Sequence, residues 1–453
     1  MTNTQESLRT WIKNPLSILC DSDAGGGLVI DGGRIVELVP TGKRPTLSCQ
    51  LELDASEHVV LPGLINTHHH FYQTLTRVHR DALGKPLFPW LQSLYPVWAK
   101  LTPEHIELST RLAFIELMLS GCTTAADHHY LFPAGLENAI DIQAEVAGEL
   151  GIRAVLTRGS MSLSQKDGGL PPDSVVQDEE TILADSERLI NRYHQREEGA
   201  MLQIALAPCS PFSVSREIMQ ASSELAHKLD VRLHTHLAET HDETDFCLQM
   251  FGLRPLDYLE DTGWMNDRVW LAHGIHFDAS EAQRLGENGV GICHCPSSNM
   301  ILASGICPTL SLESAGSPVG LGVDGSASND GSNMIQEVRM AFLLQRLQHG
   351  AENVGHLDAL RWATEGSARC LGRDDIGKIA LGKQADLAMF KLDELRFSGS
   401  GDPLAALVLC GAHRADRVMV RGEWRVVDGK YQGVDIDQLL LAHSASAQSL
   451  HEG

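Results

Sequence analysis

Histidines and acidic residues recur where apolar segments of this sequence end. Side chains alternate along an extended chain, so two histidines spaced by one residue face the same way. The residues of interest are His68, His70, His236, Glu239, His273 and Asp324. Neutral imidazole and carboxylate are good ligands for a zinc-like ion, and a catalytic site leaves one coordination position open for water. Three histidines with Asp324 meet that requirement, so the pattern predicts a metal centre that activates water for hydrolysis.

The segments that carry these residues are predicted to be strands of a barrel. Between about residues 64 and 374, apolar runs alternate with amphipathic helical stretches, which is the pattern of repeated βα units. Eight such units predict an α/β fold with a closed (β/α)8 TIM-type barrel, whose active site lies at the C-terminal ends of the strands. The predicted strands are Leu64–His68, Thr123–Asp127, Ile152–Thr157, Leu202–Leu206, Val231–His236, Arg268–His273, Gly289–His294 and Pro318–Asp324.

One long insertion interrupts this alternation after the third predicted strand. It runs from Ser160 to Thr181 and contains two glycines and two prolines in pairs. The segment is either a mobile lid over the site or an ordinary surface loop, and the sequence leaves both open.

The sequence at both ends of the chain predicts further strands that lie outside the barrel. Short β-branched or alternating runs, separated by glycines, stand before and after the barrel. These runs are Leu28–Ile30, Arg34–Val39, His58–Val60, Gly377–Phe390 and Arg417–Gln432. We therefore expect a small discontinuous β-sandwich from residues 1–62 and 375–453, and a catalytic barrel from residues 63–374.

The composition is strongly acidic, with 59 Asp and Glu against 36 Lys and Arg and a formal net charge of −23. Such a chain is poorly suited to nucleic acid, so we expect a small-molecule substrate. Met1–Leu19 lacks the apolar stretch of a signal peptide, and no run of about 18 apolar residues follows, which predicts a cytoplasmic protein without membrane contact. The ten cysteines form no CxxC pair, so we expect most of them to be reduced and buried.

Four motifs resemble those of the amidohydrolase superfamily. They are Leu61–His70, His234–Glu239, Leu271–Gly274 and Gly322–Gly325. Over nearly its whole length the chain resembles the branch that holds cytosine and guanine deaminases and s-triazine hydrolases. The resemblance implies one zinc ion per subunit, with the ligands His68, His70, His236 and Asp324, and a homo-oligomer. Binuclear relatives use a carboxylated lysine at the end of strand four, where Leu206–Ser210 contains no lysine.

A mechanism follows from these positions as a hypothesis. Water at the ion gives a proton to Asp324, the resulting hydroxide attacks an amidine carbon, and Glu239 protonates the adjacent ring nitrogen before ammonia leaves. His273 is similar to the family's histidine that hydrogen-bonds the attacking water or the developing tetrahedral centre. Structural hydrogen bonding is the expectation for His69, His128, His129, His276 and His294.

Three residues near other strand ends could bind the edge of a heterocycle, namely Gln73, Tyr130 and Cys209. An amide, a phenol and a thiol suit a ring with carbonyl and NH groups, and they do not suit a phosphate. In context, the three resemble the pattern of 8-oxoguanine deaminases, where they are thought to meet the 6-oxo group, N7 and the 8-oxo group, respectively. That resemblance implies deamination of 8-oxoguanine at C2 to urate, with guanine and isocytosine as slower substrates.

Other functions of this chain remain possible interpretations of the sequence. An s-triazine amino- or chlorohydrolase, or another nucleobase or nucleoside deaminase, would share the metal motifs and differ in the pocket. A catalytically silent assembly subunit would lack ligands or the acid, and none is missing here. A repair enzyme for oxidised guanine within DNA is disfavoured by the net charge. A second type of zinc deaminase site, HxE with PCxxC, is excluded because Phe212 replaces its second cysteine.

Overall fold

The computed structural model describes residues 8–452 and begins with six strands that precede the barrel. β3 and β4 form a hairpin across Gly32 and Gly33, whose φ angles of 55° and 80° are favourable for glycine. Four of the six strands form one sheet in the order β4-β3-β1-β5. The strands are β1 (Thr10–Lys13), β2 (Ser17–Ile18), β3 (Gly27–Asp31), β4 (Arg34–Val39), β5 (Leu51–Asp54) and β6 (His58–Pro62).

The eight strands predicted for the barrel all form, with ends shifted by at most three residues. Each pairs in parallel with the next, from β7 to β14. β14 returns to β7, because Thr67 N donates to Leu321 O at 3.0 Å and Asp324 N donates to His68 O at 3.1 Å. The fold class is therefore confirmed. The strands are β7 (Leu64–Asn66), β8 (Cys122–His129), β9 (Arg153–Ser160), β10 (Leu202–Pro208), β11 (Leu233–Leu237), β12 (Val269–His273), β13 (Gly291–His294) and β14 (Val319–Leu321).

Helices surround the barrel, and several begin at side chains that cap their first turn. Asp178 accepts from Thr181 N, and Ser215 accepts from Ile218 N, so the free N–H groups at these helix starts are satisfied. The helices are α1 (Leu87–Trp98), α2 (Pro103–Leu119), α3 (Ala139–Leu150), α4 (Glu179–Tyr193), α5 (Arg216–Leu229), α6 (His241–Phe251), α7 (Pro255–Asp261), α8 (Ala279–Glu287), α9 (Pro296–Ile301), α10 (Thr309–Ala315), α11 (Met334–His349), α12 (His356–Arg361), α13 (Ser367–Cys370), α14 (Pro403–Leu409) and α15 (Ile436–Glu452).

The last strands join the first ones in a single sheet of order β18-β17-β16-β15-β6-β2. Asp428 and Gly429, with φ angles of 51° and 67°, form the predicted turn between β17 and β18. The run Gly377–Phe390 was predicted as strand, but only its last residues extend, because residues 377–386 form turns before β15. The strands are β15 (Leu387–Lys391), β16 (Arg417–Val420), β17 (Glu423–Val427) and β18 (Lys430–Tyr431).

The final helix, α15, contacts the barrel rather than the terminal sheets. His443 Nε2 lies 3.0 Å from Thr74 Oγ1, and His451 Nε2 lies 2.9 Å from Leu75 O, both in the turn that follows β7. The segment predicted for the sandwich thus includes a helix that packs on the barrel. The domain boundaries themselves remain a prediction, and residues 1–7 and 453 lie outside the described part of the chain. No helix within residues 8–452 has the length and apolar character needed to cross a membrane.

Candidate metal centre and active site

Four predicted metal ligands converge at the C-terminal ends of the barrel strands. His68 and His70 follow β7, His236 lies in β11, and Asp324 follows β14. The Nε2 atoms of His68 and His70 each lie 3.3 Å from Asp324 Oδ1, and the Nε2 atoms of His70 and His236 lie 3.2 Å apart. Ligand atoms at about 2.0–2.1 Å from a tetrahedral zinc ion lie about 3.3 Å from one another, so this spacing fits one such ion.

Backbone carbonyl groups fix the tautomers of two of these histidines. His70 Nδ1 donates to His128 O at 2.7 Å, and His236 Nδ1 donates to Cys209 O at 2.6 Å. A carbonyl oxygen can only accept, so each Nδ1 carries the ring proton and each Nε2 presents a lone pair. Both histidines are therefore held in the form that binds a metal ion.

His68 is oriented by another histidine, His234, to which the sequence assigned no role. His234 Nδ1 donates to Trp270 O at 2.8 Å, which leaves its Nε2 to accept from His68 Nδ1 at 2.8 Å. The His234 ring also stacks on Trp270, with 4.3 Å between centroids. His68 Nε2 consequently presents a lone pair, and this buried atom has no hydrogen-bond partner within the described chain.

The three histidines thus point nitrogen lone pairs, and Asp324 points a carboxylate, at one another, and none of these atoms carries a proton. Burial lowers the pKa of His68 well below its ordinary value and that of His236 to about 3, so both rings stay neutral. Lone pairs facing one another at 3.2 Å repel, and a cation among them turns that repulsion into coordination. The residues present therefore fit a divalent metal ion.

His128, for which we expected a structural role, lies within the same cluster of possible ligands. One of its ring nitrogens lies within 4.8 Å of those of His68, His70 and His236. Its Nε2 donates to Ala207 O at 2.9 Å, while its buried Nδ1 has no partner among residues 8–452. The other histidines expected to be structural form hydrogen bonds to protein atoms, and these are His69, His129, His276 and His294.

Glu239 and His273 face each other beside the ligand set. His273 Nε2 lies 3.5 Å from Glu239 Oε2 and 3.9 Å from Asp324 Oδ2, and its Nδ1 lies 2.9 Å from Asn299 Oδ1. Burial raises the pKa of Glu239. Burial alone lowers the pKa of His273, but the charges on Glu239 and Asp324 outweigh it and raise that pKa. The two side chains can therefore hold or move a proton next to the ligand set.

The backbone is strained where the catalytic candidates leave their strands. Ala238, His273 and Asp324 have φ angles of 54°, 72° and 62°, in the left-handed region that favours glycine. The Glu243 carboxylate accepts from the N–H groups of Ala238 and Glu239, each at 2.9 Å, and so holds the turn that presents Glu239. Sequence reasoning missed Glu243, although a carboxylate at the start of a helix that follows a catalytic turn was a usable signal.

The segment Cys295–Asn299, whose role the sequence left open, supports two of these side chains. Ser298 Oγ donates to Asp324 Oδ2 at 2.6 Å, and Asn299 binds His273. Both come from α9, which begins directly after β13. This helix therefore orients Asp324 and His273 through hydrogen bonds to their side chains.

The predicted substrate-binding residues line one cavity together with the catalytic candidates. The cavity measures about 390 Å³ including its open mouth, and its walls include Gln73, Tyr130, Cys209, Glu239 and Asp324. Gln73 Oε1 accepts from Ala327 N at 3.2 Å. A Cβ atom at position 325 would collide with Gln73 Oε1, so Gly325 allows the glutamine to reach this position. The size suits a ligand of a few rings at most.

One wall of this cavity comes from outside the barrel strands, and the sequence did not predict it. α1 contributes Leu87, Trp90, Leu91 and Tyr95. These apolar and aromatic residues lie in a run with two prolines and no charge, which resembles ordinary core sequence. They give the cavity apolar surfaces on which a flat ring can pack.

The insertion Ser160–Thr181 is not among the residues that line the cavity. Leu170 N donates to Phe212 O at 3.0 Å, and Ser162 N donates to Ser213 O at 3.0 Å, so the insertion is fastened to the loop after β10. Phe212 itself lines the cavity. The insertion therefore supports a wall of the site from behind, as a packed surface loop does.

Comparison with known proteins agrees with this arrangement. The amidohydrolase family model matches residues 59–425. An 8-oxoguanine deaminase from Pseudomonas aeruginosa is 68% identical over 98% of this chain and 100% of its own length. An isoxanthopterin deaminase from an unknown prokaryotic organism is 36% identical over 85% of this chain and 84% of its own length.

A solved structure resembles the whole fold. The crystal structure of an atrazine chlorohydrolase from Arthrobacter aurescens TC1, complexed with zinc, superimposes with a TM-score of 0.91. It is 32% identical and covers 98% of this chain and 100% of its own. With the family match over residues 59–425 and the barrel and histidine cluster described above, this chain belongs to the amidohydrolase family.

Proposed function

We propose that this chain is a zinc-dependent deaminase that hydrolyses 8-oxoguanine to urate and ammonia. The observation that carries the proposal is the 68% identity, along 98% of the chain, to an 8-oxoguanine deaminase. Guanine and isocytosine share the amidine that is hydrolysed, so we expect them to react more slowly. The strong net negative charge supports a small purine-like substrate rather than a nucleic acid.

His68, His70, His236 and Asp324 would hold one zinc ion. The 3.3 Å distances from Asp324 to His68 and His70 and the 3.2 Å distance between His70 and His236 support this arrangement. When bound, such an ion lowers the pKa of water and supplies hydroxide near neutral pH. Asp324 accepts the proton that the water loses, and the Ser298 hydroxyl keeps the carboxylate oriented for this step. His273 places Nε2 between Asp324 and Glu239, where it can hydrogen-bond the attacking oxygen.

Glu239 completes the reaction as the acid that protonates the ring nitrogen beside the attacked carbon. Burial raises the pKa of Glu239, so its carboxyl group retains a proton at a higher pH than an exposed glutamate. Protonation of the ring nitrogen makes the carbon more electrophilic. Asp324 then passes the proton it accepted to the amino group, which leaves as ammonia, and Glu239 regains a proton from the hydroxyl group as the carbonyl forms. Ser304 Oγ, 3.3 Å from Glu239 Oε1, holds the other carboxyl oxygen.

Gln73, Tyr130 and Cys209 bind the substrate edge remote from the amidine in this proposal. We assign the 6-oxo group to the Gln73 amide, N7 to the Tyr130 hydroxyl and the 8-oxo group to the Cys209 thiol. Burial raises the pKa of Cys209 to about 12, so the thiol keeps its proton and can act as a donor. The cytoplasmic location and the homo-oligomeric state remain predictions.

Ammonia release on a panel of substrates tests the proposal. Zinc-loaded protein is given 8-oxoguanine, guanine, isocytosine, cytosine, adenosine and an amino-s-triazine, with Glu239→Gln as the blank. The expected result is that 8-oxoguanine is turned over fastest, with urate as the product, and that Glu239→Gln is at least about 100-fold slower. Turnover of a triazine alone would instead resemble the activity of the zinc-bound atrazine chlorohydrolase and would overturn the substrate assignment.

A further inference from the structure

The hydroxyl group of Tyr95 is buried and has no hydrogen-bond partner among the described residues. Tyr95 is only 1% exposed, yet it lines the active-site cavity. Buried hydroxyl groups in native proteins almost always find a partner, so an unpaired one in a binding cavity indicates a ligand that pairs with it.

Other groups that can donate a hydrogen bond share the cavity with this hydroxyl. The Cys209 thiol and the Tyr130 phenol line the same cavity as Tyr95. Burial raises the pKa of Tyr95 well above its ordinary value. The thiol and the phenols are thus neutral donors at physiological pH, and a ligand oxygen facing them would accept from more than one.

Packing fixes the position of the Tyr95 ring. It lies edge-on against Trp98, with 6.1 Å between centroids, and Trp98 Nε1 is in turn anchored to Thr76 Oγ1 at 3.1 Å. Both aromatic residues belong to α1. Because the ring is held in place before a ligand arrives, its hydroxyl can select a ligand by the position of an acceptor.

We propose that Tyr95 is a specificity-determining residue whose hydroxyl donates, beside the Cys209 thiol, to the exocyclic oxygen on the five-membered ring of the substrate. This inference rests on the proposed function, since 8-oxoguanine carries that oxygen and guanine lacks it. A buried donor that pairs with one substrate and is left unpaired by its analogue discriminates between the two. Tyr95 would thereby select the oxidised base.

Tyr95→Phe tests the inference, with kcat/KM measured on 8-oxoguanine and on isocytosine. Isocytosine has the same amidine and oxo group but no five-membered ring, so it does not reach the Tyr95 hydroxyl. We expect kcat/KM to fall by about 10–100-fold on 8-oxoguanine, the value for one lost hydrogen bond in a buried site, and to stay within about twofold on isocytosine. An equal loss on both substrates, or no loss on either, would overturn the inference.

Tyr258→Phe is the matched control. Its hydroxyl is also buried and unpaired within the described chain, but Tyr258 packs on Phe251 and is not part of the cavity wall. Both variants should keep or slightly raise the Tm, because each removes an unpaired hydroxyl. A clear fall of the Tm in Tyr95→Phe would mean that the hydroxyl is already paired and would overturn the inference. Wild-type protein active on isocytosine but inactive on 8-oxoguanine would overturn the proposed function as well.

Discussion

Two sets of buried polar groups, one at each end of the barrel, differ in whether their hydrogen bonds are satisfied. At the C-terminal end of the strands, His68 Nε2 and the Tyr95 hydroxyl have no partner in the described chain, and Asp324 has a strained backbone. At the N-terminal end, Arg153 makes two hydrogen bonds to Asp386, at 3.1 Å and 3.2 Å, and another to Gly199 O. Unpaired groups await a ligand, whereas paired groups stabilise the fold, so activity and stability reside at different ends of the same strands.

Two matched substitutions, each of which turns a buried carboxylate into an amide, should separate these roles. Glu239→Gln should lower kcat by about 10²–10⁴-fold, the usual contribution of a general acid, and leave the Tm unchanged or raised. The raised pKa of Glu239 means that its ionised form destabilises the folded state near neutral pH. Asp386→Asn should leave kcat unchanged and lower the free energy of unfolding by about 3–5 kcal/mol, because Arg153 loses its buried partner.

Steady-state kinetics and thermal unfolding of both variants measure the two effects side by side. The comparison between the ends fails if Glu239→Gln lowers the Tm as much as Asp386→Asn does. It fails equally if Asp386→Asn lowers kcat at a temperature where the variant is folded. Circular dichroism at the assay temperature establishes the folded state in each case.

Substitution of His234, at the C-terminal end of the strands, should have a smaller effect that is specific to zinc binding. His234→Phe keeps the stacking on Trp270 but removes the nitrogen that accepts from His68 Nδ1. His68 then loses its fixed tautomer, and we expect zinc affinity to fall by about 10–100-fold. Competition with a chelator measures this affinity, and His194→Phe is the control.

His194 is also bound to the backbone, since its Nδ1 accepts from Ile204 N at 3.0 Å, but it lies among residues at the opposite end of the barrel. Its substitution should leave zinc affinity unchanged. Equal affinities for wild type and His234→Phe would contradict a role for His234 in orienting His68.

The barrel strands, and the positions of the candidate metal ligands at their ends, could be predicted from the sequence because their signals are local. A buried strand is a short apolar run, and a ligand at its end is a polar residue directly after that run, as at Asp324 after β14. His68 and His70 were placed on one side by alternation alone. Their convergence with His236 required only that parallel strands end on the same side of a barrel.

The parts of the site that could not be predicted depend on contacts between segments that are distant in the sequence. Tyr95 and Trp90 lie in an apolar run that no local pattern distinguishes from a core helix. The role of His234 depends on Trp270 O in the next strand, and α15 reaches the barrel through contacts to Thr74 and Leu75. Such contacts are set by tertiary packing, so spacing along the sequence does not reveal them.

The smallest expected effect concerns the pH dependence of stability at the N-terminal end. Asp375 accepts two hydrogen bonds from Arg373, both at 2.7 Å, and one from Gly199 N at 2.8 Å. Burial alone raises the pKa of Asp375, but Arg373 outweighs it and holds this pKa at about 2. A carboxyl group with a lowered pKa in the folded state stabilises the protein above its unfolded pKa of about 3.9, and that stabilisation is lost as the pH falls toward 2.

Asp375→Asn should therefore unfold at a lower Tm than wild type at pH 6, and the difference should shrink between about pH 4 and pH 2. The charge-dependent part amounts to about 2–3 kcal/mol, since one pKa unit corresponds to about 1.4 kcal/mol. Asp374→Asn, at the exposed neighbouring position, removes the same charge without breaking the pair with Arg373. A Tm difference for Asp375→Asn that stays constant down to pH 2 would show that the carboxyl group contributes through its shape and hydrogen bonds rather than its charge.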